Sequence, residues 1–485
     1  MPTREILQLF WSVWPPVMTG LVVLISLLAT GHVVLHKRDA RAAFAWVGVI
    51  WLAPIVGALL YALFGINRIR RRARELRPKS RLWLEAARNG ADEADVDKHL
   101  GTSHLTPLAH LVDKMIQPGL VGGNRVELLE DGDEAFPAML EAIAAAERSV
   151  TLATYIFDND ASGKAFLAEL RAAKERGVEI RVLIDDIGTR YSFPPMHRAL
   201  GRAGVEVARF LPTFVPWRLP YMNLRNHRKV LVADGRVGFT GGINIRAGNV
   251  LAREPEHPIR DVHARVRGPA VSHLQQAFVE DWAFATGERL EGERWFPSLR
   301  AEGEVVARAL IDGPDEDFEV LRVVLLGALS VARQRVQILT PYFVPDEALI
   351  TALGVAALRG VEVDIVLPER SNLRFVEWAA NATLPLVIDK GCRVWFTPPP
   401  FDHSKLMVVD GAWTLLGSGN WDARSLRLNF ELNLECFDRD LAARAARIID
   451  ERIRRARPIS CPDLEQRALA LRLRDGLAHL FAPYL

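Results

Sequence analysis

One short motif of chemically active side chains occurs twice in this 485-residue chain. The spacing His-x-Lys-x4-Asp is shared by two sets of three residues: His227, Lys229 and Asp234, and His403, Lys405 and Asp410. A glycine-rich turn follows each set and ends in Asn244 or Asn420, 17 residues after the histidine in both cases. A single motif of this kind arises often by chance, whereas two copies with matched spacing rarely do. We therefore interpret the pair as one functional site.

Short apolar runs lie between the lysine and the aspartate of each motif. The runs at 230–233 and 406–409 predict buried β-strands that end at Asp-Gly turns. Alternate residues of a strand share a face, so histidine and lysine two positions apart point the same way. Two such motifs brought together would place two imidazoles and two ammonium groups around a single anion.

This set of groups fits phosphodiester exchange better than acyl transfer or metal binding. One imidazole can attack phosphorus and hold a covalent phosphohistidine, while the other protonates the leaving alcohol and later deprotonates the incoming one. The lysines and asparagines would stabilise charge on the non-bridging oxygens. We therefore expect no metal ion and no cofactor. Asp234 and Asp410 either form turns, which we favour because Asp-Gly is a turn signal, or orient an imidazole.

The sequence around the motifs repeats as well. Each motif is preceded by a predicted strand, helix and strand in the same order, at 149–157, 163–174 and 176–185 and again at 336–343, 346–358 and 359–368. Strands that alternate with helices indicate βαβ units with helices on the sheet faces. We predict an α/β fold of two similar lobes with mixed, mostly parallel sheets, and a site between the lobes.

The paired motifs and their flanking residues resemble the phospholipase D superfamily and, within it, the bacterial cardiolipin synthase branch. The stretches that carry the resemblance lie beside the motifs and at the end of the chain: 155–158, 225–235, 239–245, 340–343, 429–433 and 480–485. Together with the N-terminal apolar segments, they extend the similarity over essentially the whole chain. The resemblance implies a phospholipase D-like fold for each lobe.

The resemblance also implies which residues form the site. They are the catalytic residues His227, Lys229, Asp234, His403, Lys405 and Asp410, and the phosphate-binding residues Asn244 and Asn420. By analogy we expect His227 to be the nucleophile and His403 the general acid/base, although the residues themselves leave that order open. Arg246 and Arg424 either contact lipid phosphate or are solvated loop charges. Asp402, directly before His403, either raises the basicity of the imidazole or caps a turn.

Two apolar segments near the N-terminus predict membrane helices. Residues 17–35 and 43–65 carry no formal charge, and each is long enough to cross a hydrocarbon core of roughly 30 Å. We predict a transmembrane hairpin over 1–70 with helices at about 13–35 and 43–65, in which Pro54 is tolerated. A cleaved signal peptide is the alternative interpretation of the first segment.

Basic residues near these segments predict the orientation. Eight arginines and lysines lie between Arg68 and Arg81, against three in the loop between the two segments. The positive-inside rule then favours a multi-pass protein of the bacterial inner membrane with its catalytic domain in the cytoplasm. The same cluster could bind anionic lipid headgroups. Three cysteines without metal-ligand spacing agree with a reducing compartment.

Length and composition fit this organisation. With 49% apolar and 25% charged residues, the chain can form a membrane hairpin and a sizeable core, and its net charge of +2 favours no class of partner. After the hairpin, we assign 71–120 to a basic helical connector, 121–300 to the first lobe, and 301–485 to the second lobe with an amphipathic C-terminal tail. The aromatic stretch 210–222 is either a core loop or a rim that dips into the membrane.

The residues alone predict phosphodiester transfer near a membrane. The resemblance implies transfer of a phosphatidyl group from one phosphatidylglycerol to another, with release of glycerol through a phosphatidyl-histidine. A membrane-anchored phospholipase D that forms phosphatidic acid is the alternative, and a lipid-binding scaffold is the alternative outside enzymes. A nuclease is disfavoured because such relatives are typically short and unanchored. We expect phospholipids and a membrane as partners, no nucleic acid, and make no prediction of oligomeric state.

Overall fold

The computed structural model describes residues 2–37, 40–65, 104–116, 119–212, 224–313 and 319–482. The described residues up to 65 belong to one compact unit, and those from 104 onward to a second. The first unit contains α1 (Pro2–His36), α2 (Ala40–Leu52), α3 (Pro54–Leu60) and a π-helical turn (Tyr61–Gly65). The basic cluster at 68–81 and most of the predicted connector and of the aromatic stretch 210–222 lie outside the described residues.

One described helix of the first unit is long and apolar enough to cross a membrane, over Trp14–His36 of α1. The second predicted membrane segment, 43–65, is helical but interrupted, because α2 ends at Leu52 and α3 begins at Pro54, and the two-helix hairpin stays a prediction. Proline lacks an N–H and disfavours helical geometry in the residue before it, and Ala53 has φ −140° and ψ 73°. At 1.5 Å per residue α2 is about 20 Å long, shorter than a hydrocarbon core.

The second unit is a mixed α/β structure. Its helices are α4 (Thr106–Asp113), α5 (Asp131–Ala145), α6 (Ala161–Glu175), α7 (Met196–Arg202), α8 (Val271–Thr286), α9 (Val320–Val331), α10 (Glu347–Leu358), α11 (Arg374–Thr383), α12 (Pro385–Ile388), α13 (Ala423–Arg427), α14 (Arg439–Arg455), α15 (Cys461–Glu465) and α16 (Leu469–His479). Its strands are β1 (Val121–Glu130), β2 (Ser149–Thr154), β3 (Glu179–Asp185), β4 (Glu206–Phe210), β5 (Val230–Ala233), β6 (Val237–Gly241), β7 (Ile259–Arg260), β8 (Val262–Arg267), β9 (Val305–Asp312), β10 (Arg335–Leu339), β11 (Phe343–Val344), β12 (Glu362–Pro368), β13 (Arg393–Thr397), β14 (Phe401–Asp402), β15 (Leu406–Val409), β16 (Trp413–Gly417), β17 (Trp421–Asp422), β18 (Glu431–Phe437) and β19 (Arg457–Ile459).

One large sheet runs through both halves of this unit. Its strand order is β19-β13-β12-β10-β15-β16-β18-β9-β1-β8-β6-β5-β2-β3-β4. Read outward from the central β9–β1 pair, the order β9-β18-β16-β15-β10-β12-β13 corresponds strand by strand to β1-β8-β6-β5-β2-β3-β4. The strand, helix and strand that precede each motif therefore occupy equivalent places in the two halves.

The predicted excess of parallel strand pairs is wrong. Within the large sheet β2–β3–β4 and β10–β12–β13 pair in parallel, and the other neighbouring described strands are antiparallel. The turn after each motif is too short for a crossover connection, so β5 and β15 return directly as hairpins with β6 and β16. The halves also share a single sheet through β1–β9, where we predicted a sheet for each lobe.

Helices cover both faces of the sheet and hold the motif strands in place. In the first half, α5 and α6 pack with β2, β3 and β5 in one core, in which Phe166, Ile180 and Leu231 are fully buried. The equivalent core of the second half joins α9 and α10 to β10, β12 and β15, and α4 packs onto it. Because β5 and β15 are buried between these layers, the residues just before them have defined positions.

Candidate active site

The two motif histidines face each other where the halves of the second unit meet. Their ring centroids are 6.4 Å apart, with an angle of 81° between the ring planes. His227 and His403 lie just before β5 and β15, beside the carboxyl ends of β2 and β10. A nitrogen that attacks phosphorus must come within about 3–3.5 Å of it, so this separation suits one phosphate group between the two rings.

Each imidazole is held by a carboxylate from the opposite half. His227 Nδ1 lies 3.0 Å from Glu431 Oε2, at the start of β18, and His403 Nδ1 lies 2.8 Å from Asp261 Oδ2, just before β8. A carboxylate beside Nδ1 keeps the ring proton on that nitrogen and leaves Nε2 for reaction. Backbone hydrogen bonds also cross between the halves: His227 N donates to Phe430 O, and His403 N donates to Arg260 O.

Neither carboxylate was predicted as a site residue from the sequence. Glu431 lies in the 429–433 stretch that carries the family resemblance, and Asp261 lies 34 residues after His227. Each acidic residue lies directly before or at the start of a strand, about 30 residues after a motif histidine, and this spacing was the available signal. It would have suggested pairing within a half, whereas the structure pairs across halves.

The two motif lysines are buried next to the histidines. Lys229 Nζ donates to His227 O over 2.6 Å and lies 5.6 Å from the ring centroid of Tyr155, and Lys405 Nζ donates to His403 O. Burial lowers the pKa of Lys229 to about 7 and that of Lys405 to about 8, although nearby carboxylates act in the opposite direction. An anion bound between them would favour the charged form of both lysines.

The two histidine–carboxylate pairs differ in the direction in which their surroundings shift the pKa of the carboxylate. Burial lowers the pKa of His227 to about 4. Burial alone would raise the pKa of Glu431, but His227, Lys229 and Ser418 hold it below its usual value, so the first pair is a neutral imidazole with a carboxylate. In the second pair, burial raises the pKa of Asp261 well above its usual value and lowers that of His403 well below its own. Burial therefore disfavours the charged form of both members of the second pair.

Arg228, between the histidine and lysine of the first motif, joins the two halves. Its guanidinium pairs with Asp281 of α8 over 2.6 Å and donates to the backbone oxygens of Glu431 and Asp312. Because alternate residues point to opposite sides, Arg228 reaches across the interface while His227 faces the site. The equivalent residue of the second motif is Ser404, so this connection is made from one motif alone.

The asparagines after the motifs lie in buried turns that contact the site. Asn244 Oδ1 accepts from Ile156 N over 3.1 Å, and Asn420 Nδ2 donates to Ser425 Oγ over 3.1 Å. The first turn runs directly against Asp261: a Cβ at Gly242 would lie 2.1 Å from the Asp261 carboxylate. Glycine at that position is therefore required for the carboxylate to reach His403.

Three other predicted candidates have structural partners. The Asp402 carboxylate accepts from Ser404 N and from Arg452 Nε, which agrees with the turn-cap interpretation. Arg246 Nε lies 3.2 Å from Asp158 Oδ2. Arg424 belongs to α13, whose preceding residue Asp422 accepts from Ser425 N. No group of three or more metal-ligating side chains that could hold an ion occurs among the described residues.

The motif aspartates hold turns at the far ends of the motif strands. The Asp234 carboxylate accepts from the backbone N–H groups of residues 147, 148 and 149. Asp410 does the same for residues 333, 334 and 335 and also pairs with His104. Both aspartates have positive φ, 53° and 49°, a conformation that aspartate and asparagine tolerate better than most residues.

We expect Asp234→Ala to lower the free energy of unfolding by about 1–2 kcal/mol, because three backbone N–H groups lose the carboxylate that accepts from them and the turn is disfavoured. The turnover of the folded enzyme should change little. Asp234→Asn should lower the free energy of unfolding less, since asparagine adopts the same backbone conformation and keeps one acceptor oxygen. Thermal unfolding of the full chain in detergent should give Tm values in the order wild type, Asn, Ala. Loss of turnover at unchanged Tm would instead support an orienting role.

Comparison with known proteins agrees with this geometry. The family model described as "Cardiolipin synthase, PLD-like domain" matches residues 139–282 and 325–453, which include both histidine motifs. This chain belongs to the cardiolipin synthase family. The predicted resemblance to this branch of the phospholipase D superfamily is confirmed. A second model, described as phospholipase D-nuclease N-terminal, matches residues 24–65.

Relatives in the cardiolipin synthase family align over nearly the whole chain. The cardiolipin synthase of Geobacillus thermodenitrificans is 31% identical over 93% of this chain and 90% of its own length. That of Staphylococcus aureus is 29% identical over 96% of both chains. Among solved structures, the phosphatidylserine synthase of Haemophilus influenzae has a TM-score of 0.59 at 15% identity, over 74% of this chain and 95% of its own, which supports the fold.

Proposed function

We propose that this protein is a cardiolipin synthase that transfers a phosphatidyl group from one phosphatidylglycerol to a hydroxyl of another and releases glycerol. The observation that carries the proposal is the pair of imidazoles 6.4 Å apart, each oriented by a carboxylate from the other half of the unit. Two oriented imidazoles around one phosphate position supply a nucleophile and an acid/base group, which a transferase with a covalent intermediate needs. The family relatives named cardiolipin synthase support the product.

In the first half-reaction, Nε2 of His227 attacks phosphorus and the bond from phosphorus to the glycerol oxygen breaks. The proton held by the His403–Asp261 pair passes to that oxygen, so glycerol leaves as a neutral alcohol and a phosphatidyl-histidine remains. The raised pKa of Asp261 supports this order, because a higher carboxyl pKa favours the proton-bearing form of the group beside His403. Lys229 and Lys405 stabilise negative charge on the non-bridging oxygens, and Asn244 and Asn420 are proposed to contribute in the same way.

In the second half-reaction, His403 accepts the proton of a hydroxyl from a second phosphatidylglycerol. The oxygen attacks phosphorus, the bond from phosphorus to His227 nitrogen breaks, and cardiolipin leaves. One phosphodiester is lost and one is made, so the exchange is close to thermoneutral and requires no nucleotide. Water in place of the second lipid would give phosphatidic acid, the product of the alternative phospholipase D activity.

We further infer that α1 anchors the enzyme in a bacterial inner membrane with the second unit on the cytoplasmic side. The apolar stretch Trp14–His36 supports the anchor, and the match of residues 24–65 to the N-terminal family model supports a membrane-associated segment there. The basic residues at 68–81 support the cytoplasmic side. Substrate phospholipids and a membrane are then the partners of the site, and nucleic acid is not.

The test is a lipid assay with the purified full chain in mixed micelles that contain labelled phosphatidylglycerol and no nucleotide. We expect cardiolipin and glycerol in equal amounts. His403→Ala is the matched control, because it removes the acid/base group and leaves the remaining site in place. Phosphatidic acid as the sole lipid product would replace the proposal with a phospholipase D, and no turnover of phosphatidylglycerol would refute it.

A further inference from the structure

The C-terminal helix α16 carries its apolar residues on the outside of the protein. Four leucines spaced along one face, Leu469, Leu473, Leu477 and Leu480, are between 58% and 71% exposed, and we refer to them as the leucine stripe. The opposite face packs inward through Ala478 and Asp475, and the Asp475 carboxylate pairs with Arg467 and Arg474. An amphipathic helix of a globular domain normally buries its apolar stripe, so this orientation needs a partner in the native environment.

The leucine stripe belongs to a larger apolar surface next to the active site. Phe481 packs against exposed Phe375 of α11 with ring centroids 5.7 Å apart. Beneath them, Ala478 of α16 lies in one buried cluster with Tyr342, and the Tyr342 ring lies 6.2 Å from His403. The helix that carries the leucine stripe therefore packs into the same cluster as the tyrosine that lies beside one motif imidazole.

The first half presents an exposed aromatic residue at the corresponding edge. Phe193 is 93% exposed although its loop is fixed, since Asn159 bonds to both Ser192 and Pro194. The neighbouring Tyr191 packs against Tyr155, whose ring lies 5.3 Å from His227. Exposed apolar side chains therefore flank both histidines, one set from each half.

We propose that the leucine stripe and Phe193 dock on the surface of a phospholipid bilayer, so that the site between His227 and His403 opens towards the lipid headgroups. This rests on the proposed function, in which both substrates are bilayer lipids. The same chain carries α1, which is apolar enough to span that bilayer. On α16 the acidic residue is buried and paired while Arg472 is exposed, so the docking face presents positive charge to anionic lipid.

The first test measures contact with lipid and does not depend on catalysis. In a Cys461→Ser background, which leaves the two buried cysteines, an environment-sensitive fluorophore is attached to Leu477→Cys or Phe193→Cys of the full chain. The protein is reconstituted in vesicles of phosphatidylglycerol and phosphatidylcholine with or without nitroxide-labelled lipid. The matched control is Leu358→Cys, which is 72% exposed at the end of α10, just before β12 and so at the amino ends of the parallel strands, whereas the histidines lie at the carboxyl ends.

We expect nitroxide lipid to quench the probes at 477 and 193 at least about twofold and to leave the probe at 358 nearly unchanged, because acyl-chain contact is confined to the docking face. Equal quenching at all three positions would overturn the proposal. A blue shift at 477 without quenching by lipid would also overturn it, and would assign the stripe to contact with a second copy of the chain.

The second test separates docking from chemistry. The double variant Leu473→Asp, Leu477→Asp changes exposed positions only, so the fold is retained. Turnover of bilayer phosphatidylglycerol should fall about tenfold or more, because two leucines are no longer buried in the bilayer. Turnover of a monomeric short-chain phosphatidylglycerol should stay unchanged. Leu358→Asp should change neither. Equal loss on both substrates would refute docking, whereas failure of the wild type on both would refute the proposed function and leave the quenching result valid.

Discussion

His227→Ala is expected to abolish release of p-nitrophenolate from a phosphatidyl p-nitrophenyl diester, whereas His403→Ala should release one equivalent and then stop. p-Nitrophenolate is a good leaving group that needs no proton, so formation of the phosphatidyl-histidine requires the nucleophile alone. Its resolution needs a base for the incoming hydroxyl, which His403→Ala lacks. We expect the rate of p-nitrophenolate release to fall more than about 10⁴-fold in His227→Ala. In His403→Ala we expect a burst of one equivalent of p-nitrophenolate per site.

Rapid mixing with product absorbance measures the burst, and intact-protein mass spectrometry measures the phosphatidyl adduct on His403→Ala. The matched control is the double variant, which should show neither burst nor adduct. If the outcomes of the two single variants were exchanged, His403 would be the nucleophile and the proposed order of the two histidines would be wrong. If neither variant gave an adduct, the reaction would not use a histidine intermediate.

The repeated motif was sufficient to predict that the two imidazoles form one site. The direction of each side chain follows from strand alternation, which is a local property, and the repetition indicated that the two copies act together. Histidine and lysine two residues apart share a face wherever the strand lies, and matched spacing to Asn244 and Asn420 indicated the same local structure twice. The site roles given to these residues stay predictions. The turn interpretation of Asp234 rested on equally local information, since Asp-Gly sets the backbone conformation at the strand end.

The features that sequence reasoning missed depend on contacts between distant parts of the chain. Glu431 lies 204 residues from the imidazole that it orients, and Asp261 lies 142 residues from its own. Strand direction was mispredicted for a related reason: βαβ periodicity describes β2–β3 and β10–β12, but the hairpins after the motifs reverse the chain. In the first unit, we expected Pro54 to be tolerated within a helix over 43–65, whereas the chain leaves helical geometry at Ala53, directly before it.

Variants of the two histidine-bound carboxylates are expected to differ in how their activity depends on the leaving group: Glu431→Gln should lose activity with every leaving group, and Asp261→Asn only with one that needs a proton. In Glu431→Gln, the amide N–H₂ would face Nδ1 of His227 and favour the tautomer with a proton on Nε2, so the nucleophile is lost for every substrate. We expect turnover to fall about 10²–10⁴-fold for phosphatidylglycerol and for the p-nitrophenyl diester alike. Because Gln is nearly isosteric and Ser418 and Asn429 still surround it, Tm should change little.

Asp261→Asn removes the carboxylate that shares the leaving-group proton with His403. Burial and the charge of Lys405 then lower the pKa of His403 without a counter-charge, so the imidazolium is scarce at neutral pH and recovers as pH falls. The expected result is a loss of about 10²-fold or more with phosphatidylglycerol that shrinks at lower pH, and a p-nitrophenolate burst of normal rate. Parallel pH–rate profiles for the two leaving groups check this. A burst slowed as much as phosphatidylglycerol turnover would show that Asp261 supports the site as a whole and does not act through the proton of His403.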